Sequence, residues 1–286
     1  MLVETARAKI NLYLHVLARR DDGFHTLDSL VSFATIGDLL TGTPAQAPTL
    51  RVDGPFAEVL AAEAIESNSV MRAARASAAV LGGPAAIAFH LTKQLPVAAG
   101  LGGGSADAAA ALRICARAAG IAEDDRRLVE LARGLGADVP ACLAGRAAFM
   151  GGIGDELAPA PDLPRVGVVL VNPGVALPTA RVFAGLAGEF SNPARFSRAP
   201  RDARELAEIL ALRRNDLLDA AARCVPQIRD VLQALEASPA CLLARMSGSG
   251  ATCFGLYADS AAASHAATWL AADGRGWWIA PSTIGA

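Results

Sequence analysis

Residues 95–112 read LPVAAGLGGGSADAAAAL. Gly100, Gly102, Gly103 and Gly104 lie within five positions, Ser105 follows, and a run of alanines continues. Such a cluster can hold an anion. A helix N-terminus offers N–H groups with no intrahelical acceptor and a partial positive charge. Glycines ahead of it let the backbone close on a phosphate with no Cβ in the way. Ser105 can cap the helix, or lend its hydroxyl to a phosphate or its metal ion. The Gly-Lys-Ser/Thr phosphate loop is excluded, because these glycines lead into Ser105-Ala106-Asp107, and the dinucleotide pattern G-x-G-x-x-G is absent. On spacing alone, the stretch is a phosphate cradle or a structural turn.

Other residues could carry chemistry, each with a plainer reading beside it. Lys9 stands on the polar side of KINLYLHV, where a strand lysine is usually solvated. Asp138, in GADVPACL, is placed to cap a helix opened by Pro140. Asn68, in SNSVMRAA, is placed as a helix N-cap. His25 lies in a DGFHTL turn and can bond nearby backbone, and GSG at 248–250 fits a hairpin turn. His15, His90 and His265 lack metal-ligand spacing and read as structural or surface residues. The five cysteines are scattered, with no C-x-x-C pair, and read as reduced thiols filling core space.

The elements that must position these groups follow from the patterning. The chain has 286 residues, 53% of them hydrophobic, enough for one large domain or two ordinary ones. Net charge is −2, so a polyanion-binding surface is not expected, and nucleic acid is excluded as a partner. The N-terminus is no signal peptide, and the apolar stretches are too short to span a bilayer, which implies a cytoplasmic protein away from membranes. Residues 9–16 alternate as a strand, DDG makes a turn, and TLDSLVSFATI makes a second strand. A helix is expected over 57–81, stopped by GGP at 82–84, then a strand at 86–91 and a long helix from about Ser105 to Ala119. DDRRLVELARGLG is a further helix. Beyond 150 come a strand at 166–173, two helices within 201–236, a strand–turn–strand around GSG, a helix and a closing strand. Trp269, Trp277 and Trp278 are expected in the core of the second half. The mixture predicts an α+β fold of two domains, 1–158 and 159–286.

PVAAGLGGGSADAAAAL resembles the signature loop of the GHMP kinases, P-x-x-x-G-L-G-[small]-[small]-S-[SA], through Pro96, Gly100, Leu101, Gly102 and Ser105. ARAKINLYLHVLARRDDGFHTLDSLVSF, GLGADVPACLAGRAAFMGGIGDEL, NPGVALPTARVF, RRNDLLDAA and MSGSGATCFGLY are similar, in order, to the motifs of one branch of that superfamily. The resemblance spans nearly the whole chain. It implies a two-domain kinase with its active site in the inter-domain cleft. ATP is the co-substrate, with Mg2+ on its phosphates, and the acceptor is a small alcohol carrying a cytidine diphosphate moiety. Monomer or weak homodimer is the expected state.

The resemblance also implies roles. Lys9 is an active-site cation and Asp138 the general base for the acceptor hydroxyl. ATP lies over Pro96, Val97, Ala98, Ala99, Gly100, Leu101, Gly102, Gly103, Gly104 and Ser105, with Asn68 and Lys93 at its adenine end and Ser105 the protein contact to Mg2+. Phe24 stacks on the cytosine and His25 hydrogen-bonds it. Asn11, Thr179, Gly248 and Ser249 join Asp138 around the substrate. Two departures stand out. Ser105-Ala106 replaces a frequent Ser-Ser, leaving one hydroxyl, and Ala141 and Cys142 stand where aromatic residues are common. Homoserine and phosphomevalonate kinases share the loop but not the DGFH turn. A non-catalytic sensor on this fold would not need Lys9 and Asp138 together.

Overall fold

The computed structural model describes residues 1–60, 64–81 and 86–285. β1 (Leu2–Arg19) pairs with β2 (His25–Ala45) across the Asp22-Gly23 turn. The chain continues through β3 (Thr49–Asp53), α1 (Ala57–Leu60), α2 (Ser69–Leu81), β4 (Ala86–Thr92), α3 (Gly103–Ala118), α4 (Arg126–Leu135), α5 (Val139–Ala144), β5 (Ala148–Gly151) and β6 (Glu156–Pro159). It then runs β7 (Val166–Asn172), α6 (Thr179–Ala184), α7 (Ala203–Ala211), α8 (Leu218–Cys224), α9 (Gln227–Ala237), β8 (Leu243–Met246), β9 (Cys253–Tyr257), α10 (Ser260–Ala271) and β10 (Trp278–Ile284). The expected α+β class holds.

These elements gather into two compact units that interleave along the chain. The first comprises Met1–Ala8, Ile36–Val97 and Gly102–Gly145. In it the later half of β2 pairs antiparallel with β4, from Leu39 opposite Thr92, and β3 pairs parallel with β4. α3 packs against α2, α4 and α5. Ala106 and Ala108–Ala111 are buried on α3, and Val70, Ala73 and Ser77 on α2. Small side chains here let the helices approach closely.

The second unit comprises Lys9–Thr35, Ala98–Leu101 and Arg146–Ala286. Its first part of β2 pairs with β5, Ser29 opposite Met150, and β5 pairs with β6. A four-stranded antiparallel sheet runs β10-β7-β9-β8. β7 is an unbroken apolar run, VGVVLV, buried throughout. Its Val169 and Val171 share a core with Leu14 and Val16 of β1, Ile228 and Leu235 of α9, and Leu270 of α10.

Several expectations change. The alanine-rich 57–81 stretch is not one helix. Asn68 Oδ1 accepts from Val70 N at 2.9 Å, so a new helix starts there, as its capping chemistry implied. The expected GGP stop at 82–84 lies outside the described residues. Residues 201–236 hold three helices rather than two, because Pro226 at the head of α9 lacks the N–H to continue α8. Trp269 is not core but 45% exposed, and Trp277 and Trp278 are only half-buried, with the Arg275 guanidinium 4.9 Å over the Trp277 ring. The alternation of β1 survives, yet from Lys9 to Val16 both of its faces are buried. Lys9 is therefore no solvated strand lysine.

Candidate functional site

Burying Lys9, Asn11, Tyr13 and His15 is costly unless each polar group finds a partner. Within the second unit they do. Lys9 Nζ donates to Asn11 Oδ1 at 3.2 Å, and Asn11 Nδ2 donates to Ser29 Oγ at 2.8 Å. The Tyr13 hydroxyl donates to Asp28 Oδ2 at 3.0 Å. Asp28 also accepts from Ala194 N and Arg195 Nε. His15 Nε2 accepts from Arg214 N, which leaves Nδ1 to carry the proton it gives to the Asn192 carbonyl at 3.0 Å. This histidine is structural, as its spacing predicted.

The front of the glycine loop belongs to the same unit, and four successive carbonyls there are tied down. Leu177 N donates to Ala98 O (3.3 Å), Thr252 N to Ala99 O (3.1 Å), Ser247 Oγ to Gly100 O (3.0 Å) and Lys9 N to Leu101 O (2.9 Å). In a planar trans peptide the N–H points opposite the C=O. Each anchored carbonyl therefore turns the amide of the next residue, Ala99, Gly100, Leu101 and Gly102 in turn, away from that carbonyl's partner. Gly100 must be glycine: its φ is +76°, and a Cβ would sit 2.5 Å from Ser247 O.

The turn that receives the loop runs from Ser247 to Thr252. Asn215 Nδ2 donates to both Met246 O and Gly248 O at 2.8 Å, and Leu217 N donates to its Oδ1 at 3.0 Å. Ser249 Oγ bonds Thr179 Oγ1 at 2.8 Å, at the start of α6. Arg245, just before, is buried and its guanidinium donates to the backbone carbonyls of Leu12, Leu210 and Arg213. Burial and the neighbouring Arg213 charge pull its pKa down to about 10. His25 stacks on Phe183 with ring centroids 5.2 Å apart, while Phe24 is 58% exposed. Burial and the Arg19 charge lower the His25 pKa.

In the first unit, α3 opens at Gly103. Gly102 is its N-cap, at φ +62°, and offers no side-chain oxygen. Ser105 is thus two residues inside the helix and does not cap it, so its hydroxyl is not occupied by that task. The first intrahelical bond is Ala106 N to Gly102 O at 2.8 Å, which leaves the amides of Gly103, Gly104 and Ser105 outside the helix ladder. A Cβ at Gly104 would meet only Ser69 Oγ, at 3.9 Å. The fold itself gives no steric reason for glycine there.

Lys93 lies beneath this terminus, its Nζ 3.2 Å from where a Gly103 Cβ would be. It is 3% exposed and bonded to Asp38 Oδ2 at 2.5 Å and Asp107 Oδ2 at 2.7 Å. Asp38 Oδ1 also accepts from Gln94 N and Leu95 N. Asp107 Oδ1 is buried without a partner. Burial outweighs the Lys93 attraction and, with repulsion from Asp38, pushes the Asp107 carboxyl up to about 7. Burial pulls the Lys93 pKa down, but the two aspartates prevail and raise it. The residue sequence reasoning put at the adenine end is thus the centre of a buried charge triad.

Asp138 stands at the N-cap of α5 with Pro140 in the first turn, yet its carboxylate caps nothing. Asp125, Asp202 and Asp259 hold the same helix position and each accepts from a backbone N–H two or three residues on. The capping reading therefore fails for Asp138. Sequence reasoning missed Ser29, Asp38, Asp107, Phe183, Asn215 and Ser247. All but Asp38 lie inside quoted motifs, yet nothing in the local pattern marks them out from their neighbours.

A family model for the GHMP kinases N terminal domain matches residues 68–146, and one for the GHMP kinases C terminal domain matches 194–275. The 4-diphosphocytidyl-2-C-methyl-D-erythritol kinase of Paramagnetospirillum magneticum is 51% identical over 98% of this chain and 97% of its own. That of Rhodospirillum rubrum is 48% identical over 99% and 92%. A crystal structure of 4-(cytidine 5'-diphospho)-2C-methyl-D-erythritol kinase superposes with a TM-score of 0.80 at 34% identity, covering both chains completely.

Proposed function

The chain belongs to the GHMP kinases, and on that premise we propose how it works. It is a kinase of the 4-diphosphocytidyl-2-C-methyl-D-erythritol kind, an enzyme of the non-mevalonate isoprenoid pathway, with ATP as its co-substrate. The γ-phosphoryl group goes to the 2-hydroxyl of the acceptor, giving the 2-phosphate and ADP. The supporting observation is the anchored loop, whose four successive carbonyls are each bonded and whose helix terminus is open at Gly104. Phosphoryl transfer asks a protein mainly for positioning and charge stabilisation, and this loop supplies both.

In this reading the phosphates lie against the amides from Ala98 to Ser105. The hydroxyl passes its proton to the Asp138 carboxylate as its oxygen attacks the γ-phosphorus, and the β–γ bridging oxygen leaves with ADP. The Lys9 ammonium balances charge on the transferring oxygens, held by Asn11. His25 reads the cytosine edge and Phe24 or Phe183 covers its face, while Thr179, Gly248 and Ser249 meet the acceptor. Asn68 and Lys93 border the adenine, Lys93 by shaping the floor under α3 rather than by a free ammonium.

Among the described residues no group of three or more His, Cys, Asp or Glu could hold a metal. The open start of α3, with the Ser105 hydroxyl released from capping, fits a Mg2+ carried mainly by phosphate oxygens. When bound, that ion neutralises phosphate charge. Among the described residues no helix is long and apolar enough to cross a membrane. We place the enzyme in the cytoplasm, as a monomer or weak homodimer, and divide its family halves at 158/159, between the two family matches.

ADP release with the cytidine compound, against homoserine and phosphomevalonate, tests the assignment. Turnover only with the cytidine compound is expected, and no ADP from it overturns the reading. Lys9→Ala should cost about 10²–10³-fold in kcat, and Asp138→Asn about 10²-fold or more; near-normal turnover in both removes them from the mechanism.

A further inference from the structure

The donor and acceptor directions around Asn11 admit one arrangement. The Tyr13 carbonyl has no proton, so Ser29 Oγ–H must be the donor in their 2.5 Å bond. Ser29 Oγ has then spent its proton. The group of Asn11 that faces it at 2.8 Å must therefore be the NH2. The Asn11 carbonyl is left pointing at the Lys9 ammonium, 3.2 Å away. If the amide were flipped, an NH2 would face the ammonium and two lone-pair groups would face each other at Ser29. All three side chains are 4% exposed or less, so water cannot stand in for either bond. The backbone of Asn11 is fixed separately, its N–H donating to Ser247 Oγ at 3.1 Å.

We propose that Ser29 is a positioning residue: its hydroxyl sets the orientation of the Asn11 amide, and through it the placement of the Lys9 ammonium. Ser29 touches no substrate in this scheme. The proposal rests on the reading of Lys9 as the cation for phosphoryl transfer. Ser29 lies in the DSLVSF end of the motif that opens ARAKINLYL, where no role is assigned to it, and its link to Lys9 runs through the Asn11 side chain.

A double-mutant cycle tests it, because a structural residue would lower activity whatever stands at position 9. In the full-length wild type, Ser29→Ala should lower kcat about tenfold with the KM for ATP and for the cytidine substrate within twofold. In a Lys9→Ala background the same change should cost less than twofold. Ser29→Thr keeps the hydroxyl and should stay within threefold of wild type. A loss under twofold from Ser29→Ala, or the same fold loss in both backgrounds, overturns the proposal. If Ser29→Ala does not fold, Ser29→Cys, of like size and a weaker donor, is read by the same criteria. Full activity in Lys9→Ala would instead sink the reading beneath it, and the two failures are distinct.

Discussion

Two glycine-rich turns do opposite things with their polar groups. Residues 98–104 spend carbonyls on their neighbours and leave amides over, both along the loop and at the open end of α3. Residues 247–252 have N–H groups bonded as well, partly among themselves and partly onto the loop, Thr252 N donating to Ala99 O. Ser247 N bonds Thr252 O, Gly250 N bonds Ser247 O, and Asn215 takes the Met246 and Gly248 carbonyls. Similar composition thus yields a receiver in one place and a clamp in the other. What separates them is not glycine content but whether the surrounding chain satisfies the N–H groups or only the C=O groups.

The strongest way to break this division is at the seam. Gly100→Ala would push a Cβ into Ser247 O and the Gly250 backbone at an unfavourable φ. We expect a loss of about 1–3 kcal/mol in urea unfolding, and at least a hundredfold fall in kcat/KM for ATP by steady-state kinetics. Next is the clamp itself. Ser247→Ala leaves Gly100 O and the Asn11 N–H without their partner, which should cost about 1–3 kcal/mol. The KM for ATP should rise about tenfold, with the KM for the cytidine substrate unchanged.

The α3 side can be sharpened by pH. The Asp107 carboxyl is raised to about 7 in the fold, against 3.8 ordinarily, so the native state keeps a proton the unfolded chain has released. Stability is therefore greatest below about pH 4 as far as this group goes, and falls as pH rises through 4 to 7. The midpoint of thermal unfolding should show that fall, and Asp107→Asn should flatten it over that window. The smallest effect is expected at Gly104. Alanine there has room and suits a helix, so stability should rise by about 0.4–1 kcal/mol while the KM for ATP climbs severalfold. An unchanged KM would show that no phosphate approaches that residue.

Local grammar made much of this legible. The alternation in KINLYLHV, the glycine stop of α4 and the turn at Asp22-Gly23 are read directly from residue order, and so is the glycine loop. The short strands β3, β5 and β6 were not legible, because four or five residues with partners far along the chain carry little periodicity of their own. The partners of Lys93 are not legible, since Asp38 and Asp107 lie 55 and 14 residues away and only the fold brings them to one ammonium. Asn215 and Ser29 are neutral side chains in unremarkable company; their roles consist of directions of hydrogen bonds, which sequence spacing does not encode. Asp138 shows the reverse case. Its spacing fits a cap, and only the geometry reveals that the carboxylate makes no capping bond.

The interleaving of the units has a consequence for the order of events at the ribosome. The strand bearing Lys9 is made long before some of its partners. Its neighbour Ser247 lies 236 residues beyond Asn11 in the chain, and Arg245, which holds the Leu12 carbonyl, comes 233 residues after Leu12. Such separations slow the search for partners. Tyr13 and the Asn11 amide find Asp28 and Ser29 nearby in the chain, whereas the Asn11 N–H and the Leu12 carbonyl wait for residues made more than 230 positions later. The finishing of that strand is then a late event, and a nascent chain stalled before residue 245 holds Leu12 and Asn11 without the groups that bond their backbone.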